Sequence, residues 1–138
     1  MNKSGILIFS YTRAQTIADG VLVDVSKLAK EAGFRFPVAV TAGVWAECVA
    51  VPDGVAGQDE TGRLWDVLNV LHFAIGNKVA LPRYALPGQQ LDGERVDFAV
   101  HVRKDNSEGD PPLVSLYALC GPGDNSEPVV TIMLPNED

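Results

Sequence analysis

Residues 95–103 read R-V-D-F-A-V-H-V-R, from Arg95 to Arg103. Val96, Phe98, Val100 and Val102 alternate with Asp97, Ala99, His101 and Arg103, the two-residue period of a strand with one face on a core and one toward water. The segment Asn106 to Pro112, N-S-E-G-D-P-P, is rich in turn formers, and a second strand is expected over Leu113–Cys120. A second turn over Gly121–Pro128 leads to a third strand over Val129–Leu134. Consecutive strands joined by short turns pair with their neighbours, so this third of the chain predicts an antiparallel meander.

Upstream of Arg95 the period is helical. Over Thr61–Ile75, Leu64, Trp65, Leu68, Leu71, His72 and Ile75 fall at three- and four-residue spacing and form an apolar stripe. Shorter elements precede it. Thr12 can cap a helix through Ala18 that stops at Asp19-Gly20, and Val21, Val23 and Val25 then alternate as a strand. Ser26 is placed to cap Lys27–Ala32, Gly33 to end it, and Pro37 to open an extended Val38–Val40. Thr41 can cap Ala42–Val49, with Val44, Trp45, Cys48 and Val49 on one face, before the break at Pro52-Asp53-Gly54. Gly76 to Gly93, with Pro82 and Pro87, reads mostly as loop with a short extended piece near Val79–Leu81. The expected class is α+β: short N-terminal helices plus one longer amphipathic helix packed on a C-terminal antiparallel β-meander.

The chain has 138 residues, enough to bury one core and too few for two ordinary domains, so residues 1–138 are expected to form one globular unit. Hydrophobic residues at 46% against 21% charged exclude a disordered chain outside the last residues, Asn136 to Asp138. Cys48 and Cys120 both fall in apolar elements and read as reduced thiols of a cytoplasmic protein. The apolar run Ile6–Phe9 is too short for a signal sequence, and no run reaches membrane-spanning length.

The net charge of −7 is distributed unevenly. All 11 Lys and Arg precede Asp105, where they balance 11 of the 18 acids. The remaining seven are Asp105, Glu108, Asp110, Asp124, Glu127, Glu137 and Asp138, so the C-terminal third carries the whole imbalance. Direct nucleic-acid binding there is disfavoured, because phosphate contacts need Lys and Arg.

Three stretches are more distinctive than composition: Tyr11–Ser26 (Y-T-R-A-Q-T-I-A-D-G-V-L-V-D-V-S), Gly62–Leu68 (G-R-L-W-D-V-L) and Cys120–Pro135 (C-G-P-G-D-N-S-E-P-V-V-T-I-M-L-P). Through them the chain resembles an uncharacterised family of small domains of unknown function encoded on plasmids and other mobile elements. That resemblance implies an accessory protein of such elements and transfers no catalytic residue.

No catalytic signature stands out. Cys48, Cys120, His72 and His101 are zinc-ligand types, but none has the close spacing of a zinc motif, and no metal or cofactor is expected. His72 and His101 read as a hydrogen-bonded boundary residue and a solvated one. Cys120 before Gly121-Pro122-Gly123 has the outline of a nucleophile facing backbone amides, yet a cysteine at a strand end before a glycine turn is explained by packing. Arg63 and Asp66, three apart on the long helix, fit a surface pair. The densest polar cluster is Tyr11, Arg13, Gln15, Asp19 and Asp24, which is a candidate ligand site for a small enzyme or nucleotide-ligand binder, or more plainly an ion pair of Arg13 with Asp19 or Asp24 bracing the helix to the strand.

The acidic third points to a different class. In a meander its first turn and the chain's end lie at one end of the sheet, so Asp105, Glu108, Asp110, Glu137 and Asp138 are expected to form a partner-binding patch, with Asp124 and Glu127 opposite. Such a patch draws in a basic protein surface. The favoured function is a non-catalytic, cytoplasmic, protein-binding accessory protein, in its most concrete form an anti-restriction or anti-CRISPR inhibitor of a nucleic-acid-handling complex. The plainer reading of the charges is solubility. Homodimerisation through a sheet edge or through Trp45 and Trp65 is a further possibility.

Overall fold

The computed structural model describes residues 12–79 and 94–137. The first element, α1 (Arg13–Ala18), is closed by a capping box in which the Thr12 side chain accepts from the Gln15 amide and the Gln15 side chain from the Thr12 amide. Gly20 at φ 78° then turns the chain into β1 (Leu22–Asp24). In α2 (Ser26–Glu31) the cap differs from expectation: Ser26 is the first helical residue, and Val25 stands before it without a side-chain cap bond. The Ser26 hydroxyl is drawn elsewhere, donating to Asp24 Oδ1 at 2.6 Å and accepting from the Val38 amide at 3.0 Å. It thereby ties the helix start to β2 (Val38–Thr41).

Thr41 caps the next helix as its sequence suggests, accepting from the Val44 amide at 3.1 Å. The helix is not uniformly α. After α3 (Ala42–Val44) the chain widens into a π-turn over Trp45–Val49, closed by the Ala50 amide on the Trp45 carbonyl at 2.7 Å. Val44 and Val49 are five residues apart, a separation an α-helix would rotate about 140° around its axis and a π-turn brings nearer to one side. Both are fully buried. The long helix α4 (Glu60–Val79) continues past the expected stop at Gly76, whose cost in a helix of about 1 kcal/mol is small beside the burial of Leu64, Val67, Leu68 and Leu71. The remainder of the loop expected over Gly76–Gly93 lies outside the described residues.

The meander is present as β3 (Glu94–His101), β4 (Leu113–Pro122) and β5 (Pro128–Met133), with β4 and β5 displaced or lengthened by a residue or two from their expected limits. The sheet is larger than the meander. Its order is β1-β2-β5-β4-β3, with β2 parallel to β5 through Val38 opposite Val130 and Val40 opposite Ile132, and every other pair antiparallel. The class is thus α+β, with N-terminal strands built into the same sheet as the meander. Register gives the sheet two chemically distinct faces. Val38, Val40, Val130, Ile132, Leu116, Ala118, Val96 and Val100 share the face that joins Leu64, Val67, Leu68 and Leu71 of α4 in one core. The other face carries Ala39, Thr131, Leu119 and Arg95 in one row and Met133, Tyr117 and Asp97 in the next. There Arg95 stacks on the Tyr117 ring at 3.8 Å and donates to Asp97 Oδ1 at 3.0 Å.

Candidate functional site

The most specifically built surface of the described molecule is the end of the sheet where β3 passes to β4. A connection of residues 102–112 would be costly to order unless its polar groups were paired. They are. The Val102 amide donates to Pro112 O at 2.9 Å, and Arg103 spreads its guanidinium over the turn, donating from Nη1 to Ser107 O at 2.8 Å and from Nη2 to Gly109 O at 3.0 Å. Gly109 has φ 97°, a conformation a side chain would strain. Asn106 fastens the turn to the loop after the π-turn, donating to Gly54 O at 2.8 Å and accepting from the Ala56 amide at 2.9 Å. Lys104 pairs with Glu47 of the π-turn at 2.7 Å. Asp105 accepts from the hydroxyl and amide of Ser107, and those bonds hold its carboxyl below the usual carboxylate range. Asp105, Glu108 and Asp110 are all exposed on this braced turn.

Beneath the turn lies Arg63. The expected surface pair with Asp66 does not form: Arg63 is 6% exposed, while Asp66 is exposed, and the two ion pairs among the described residues are Arg95–Asp97 and Lys104–Glu47. Arg63 instead joins three segments. Its Nε donates to the Cys48 carbonyl at the end of the π-turn at 3.2 Å, and its Nη1 donates to Gln58 Oε1 at 3.3 Å and to Arg103 O at 2.7 Å. Its Nη2 is buried and has no hydrogen-bond partner. Other atoms of Arg63 line a cavity of about 20 Å³ together with Cys48, Gln58, Asp66, Val67, Val100, His101, Val102 and Arg103. Burial, reinforced by the Glu47 charge, pushes the Cys48 thiol up to about 11 against the smaller opposing effects of Lys104 and Arg63, which favours its protonated form. The spacing of α4 does carry a signal for Arg63: it precedes Val67 and Leu71 by four and eight residues, on the apolar face.

The other described acids of the C-terminal third, Asp124, Glu127 and Glu137, form bonds within the fold. Glu137 is bound over the start of α3, where its Oε1 accepts from Thr41 Oγ1 at 2.7 Å and from the Leu134 amide at 2.8 Å, and its carbonyl accepts from the Tyr117 hydroxyl. Gly43 faces this carboxylate so closely that a Cβ there would lie 2.6 Å from Oε2. Asp124 accepts from the Arg13 and Ala14 amides at 2.7 and 3.0 Å, adding a second cap to α1, and Glu127 accepts from the Asn125 amide at 2.8 Å. Asp138 lies outside the described residues.

The N-terminal cluster is likewise drawn into the scaffold. Arg13 donates from Nη1 to Thr131 Oγ1 at 2.7 Å and from Nη2 to Val130 O at 3.0 Å, locking α1 to β5. The ion pair with Asp19 or Asp24 is replaced by this longer reach. Burial lowers the Arg13 pKa, opposed by the charges of Asp24, Asp124 and Glu127. Gln15 is held in the capping box and Asp24 accepts from Ser26, while Tyr11 lies outside the described residues. His101 is exposed with its Nδ1 2.7 Å from Pro111 O. His72 is exposed with its ring edge-on to Phe34, their centroids 5.3 Å apart. Neither Cys48, which is buried, nor Cys120, which is half-buried, forms a disulfide. Trp45 packs half-buried against the core, whereas Trp65 and Phe73 of α4 are 38% and 70% exposed.

Among the described residues no group of three or more His, Cys, Asp or Glu is placed to hold a metal ion, and no helix is long and apolar enough to cross a membrane. The model of a family described as "Family of unknown function (DUF6573)" matches residues 2–138. No curated protein and no solved structure matches the chain.

Proposed function

We propose that this chain, which belongs to that family of unknown function, acts without catalysis by binding another protein through the braced turn at residues 102–112. One observation carries this reading: Asp105, Glu108 and Asp110 project to solvent from a turn whose carbonyls are held by Arg103 and whose base is tied down by Asn106. A preorganised turn loses little entropy on association, so its charges contribute to affinity as well as to encounter rate. The complementary surface is basic, of the kind that normally holds nucleic acid. The most concrete form of this proposal is an accessory protein of mobile elements that blocks a restriction or CRISPR complex in the cytoplasm. The rival use of Arg13 as a ligand-binding residue draws little support from its bonds, since both terminal nitrogens are engaged by Thr131 and Val130.

The test is affinity capture from host lysate at low and at high salt, with wild type and with the triple variant Asp105→Lys, Glu108→Lys, Asp110→Lys. A nucleic-acid-handling complex should be retained by wild type at low salt and released by high salt or by charge reversal, with the melting temperature unchanged. Retention of the same partner by the triple variant, or capture of nothing under either condition, would overturn the reading.

A further inference from the structure

A helix on the surface of a fold ordinarily turns charged side chains toward water. The outward face of α4 does not. Trp65, Asp66, Asn69, His72 and Phe73 are all exposed, Phe73 at 70%, and at about 100° per residue they fall within about 60° of Asn69 on either side. Gly62 and Gly76, also exposed, continue the same face toward each end of the helix, within about 20° of the line through Asn69. With His72 neutral, Asp66 alone of these residues is charged. Two large aromatics on an exposed strip with a single charge mark a contact surface.

We propose that this face is covered by a second copy of the chain, the two α4 helices lying antiparallel about a two-fold axis at Asn69. Charge selects this occupant. The first half of the helix region exposes Asp59, Glu60 and Asp66, whereas its second half lies beside α2, which meets it where Gly33 and Phe34 pack against the His72 ring. On and just after α2, Lys27, Lys30 and Arg35 are exposed against one acid, Glu31. Antiparallel pairing sets the acidic half of each copy against the basic half of the other, twice over, whereas parallel pairing would set like against like. The same symmetry brings Trp65 level with the second copy's Phe73 and lets the two Asn69 amides pair, since each carries both donor and acceptor. Gly76 comes level with Gly62 of the other copy, and a Cβ at Gly76 would meet nothing within 4 Å in the single chain. One helix face is a small interface, below about 1,200 Å² in total, so the dimer should dissociate on dilution. This inference stands apart from capture of another protein by the turn at residues 102–112: the triple charge-reversal variant should dimerise as wild type does.

Sedimentation velocity of the purified chain over a wide range of concentration decides it. Wild type should pass from monomer to dimer. Asn69→Glu, which sets two carboxylates against each other on the two-fold axis, should raise the dissociation constant at least about tenfold. Gly76→Leu should raise it by a similar factor, because its side chain enters the space of the other copy's Gly62. In dilute solution, where the chain is monomeric, Gly76→Leu should melt at a higher temperature than wild type, since leucine favours a helix and has open space there, so weaker association would not reflect a damaged fold. A chain that stays monomeric throughout would overturn the proposal, and if it nevertheless captured a different protein through Trp65 and Phe73, the face would belong to that partner. A dimer that both substitutions leave unchanged would overturn it too, by placing the contact elsewhere.

Discussion

Arg13 and Arg63 each tie distant segments of this fold together, and they are compensated in opposite ways. Both reach main-chain carbonyls across long sequence distances: Arg13 to Val130, and Arg63 to Cys48 and Arg103. Around Arg13 stand Asp24, Asp124 and Glu127, whose charges oppose the effect of its burial, and both of its terminal nitrogens are bonded. Around Arg63 there is less solvent, only neutral acceptors, and one nitrogen without a partner. An arginine that is saturated by its surroundings is a strut. One that is deeper and has a nitrogen without a partner is a junction of segments, and it sits under the surface where the acidic turn is braced.

This contrast can be broken most sharply at Arg63. Arg63→Met should destabilise the fold by about 3 kcal/mol, because it leaves the carbonyls of Cys48 and Arg103 without their donor; chemical denaturation measures it. A loss under about 1 kcal/mol would mean that the three-way junction forms without the guanidinium.

The neighbouring thiol supplies a pH test. Cys48 is raised from 9.0 to about 11 on folding, so the unfolded chain loses its proton first as pH rises. The associated stability is complete below pH 9 and is withdrawn progressively toward pH 11, by up to about 3 kcal/mol at two pKa units. Cys48→Ala should remove this part of the alkaline decline, and Cys120→Ala should leave it; denaturation midpoints from pH 8 to 11 compare them.

Effects at the Arg13 end should be smaller, because Arg13 is only half-buried and water can replace its partners. Arg13→Ala should cost about 1–2 kcal/mol. Asp124→Ala should cost about 1 kcal/mol through loss of a cap, and helix α1 should then exchange its amide hydrogens faster than α4. Smallest of all should be the effect of the triple reversal of Asp105, Glu108 and Asp110 on stability, limited to the exposed bonds that Asp105 accepts from Ser107. A larger loss would mean that the turn depends on its acids, and the charge-reversal test of partner binding would then report folding instead.

The elements themselves were legible because their signals are local. The alternation through Val96, Phe98, Val100 and Val102 gave the strand, the Leu64–Leu68–Leu71 spacing gave the long helix, and Thr12, Thr41 and Gly33 marked helix ends that the structure keeps. Where a side chain had a stronger distant partner, the local signal misled. Ser26 left its cap for Val38, Glu137 was drawn to Thr41, and Arg13 passed over the nearby acids for Thr131.

What the amino-acid order determined alone was the class and the placement of charge: an α+β chain whose last third is acidic from Asp105 onward. Periodicity and composition are additive along the chain, so they survive without coordinates. The tertiary structure decided that β2 pairs with β5, extending a meander into a five-stranded sheet, and that a helix arginine read as a surface residue lies beneath the turn. Those facts depend on which distant segments meet. Burial, and with it the choice between solvated charge and interior junction, is a property of that meeting and of no residue taken singly.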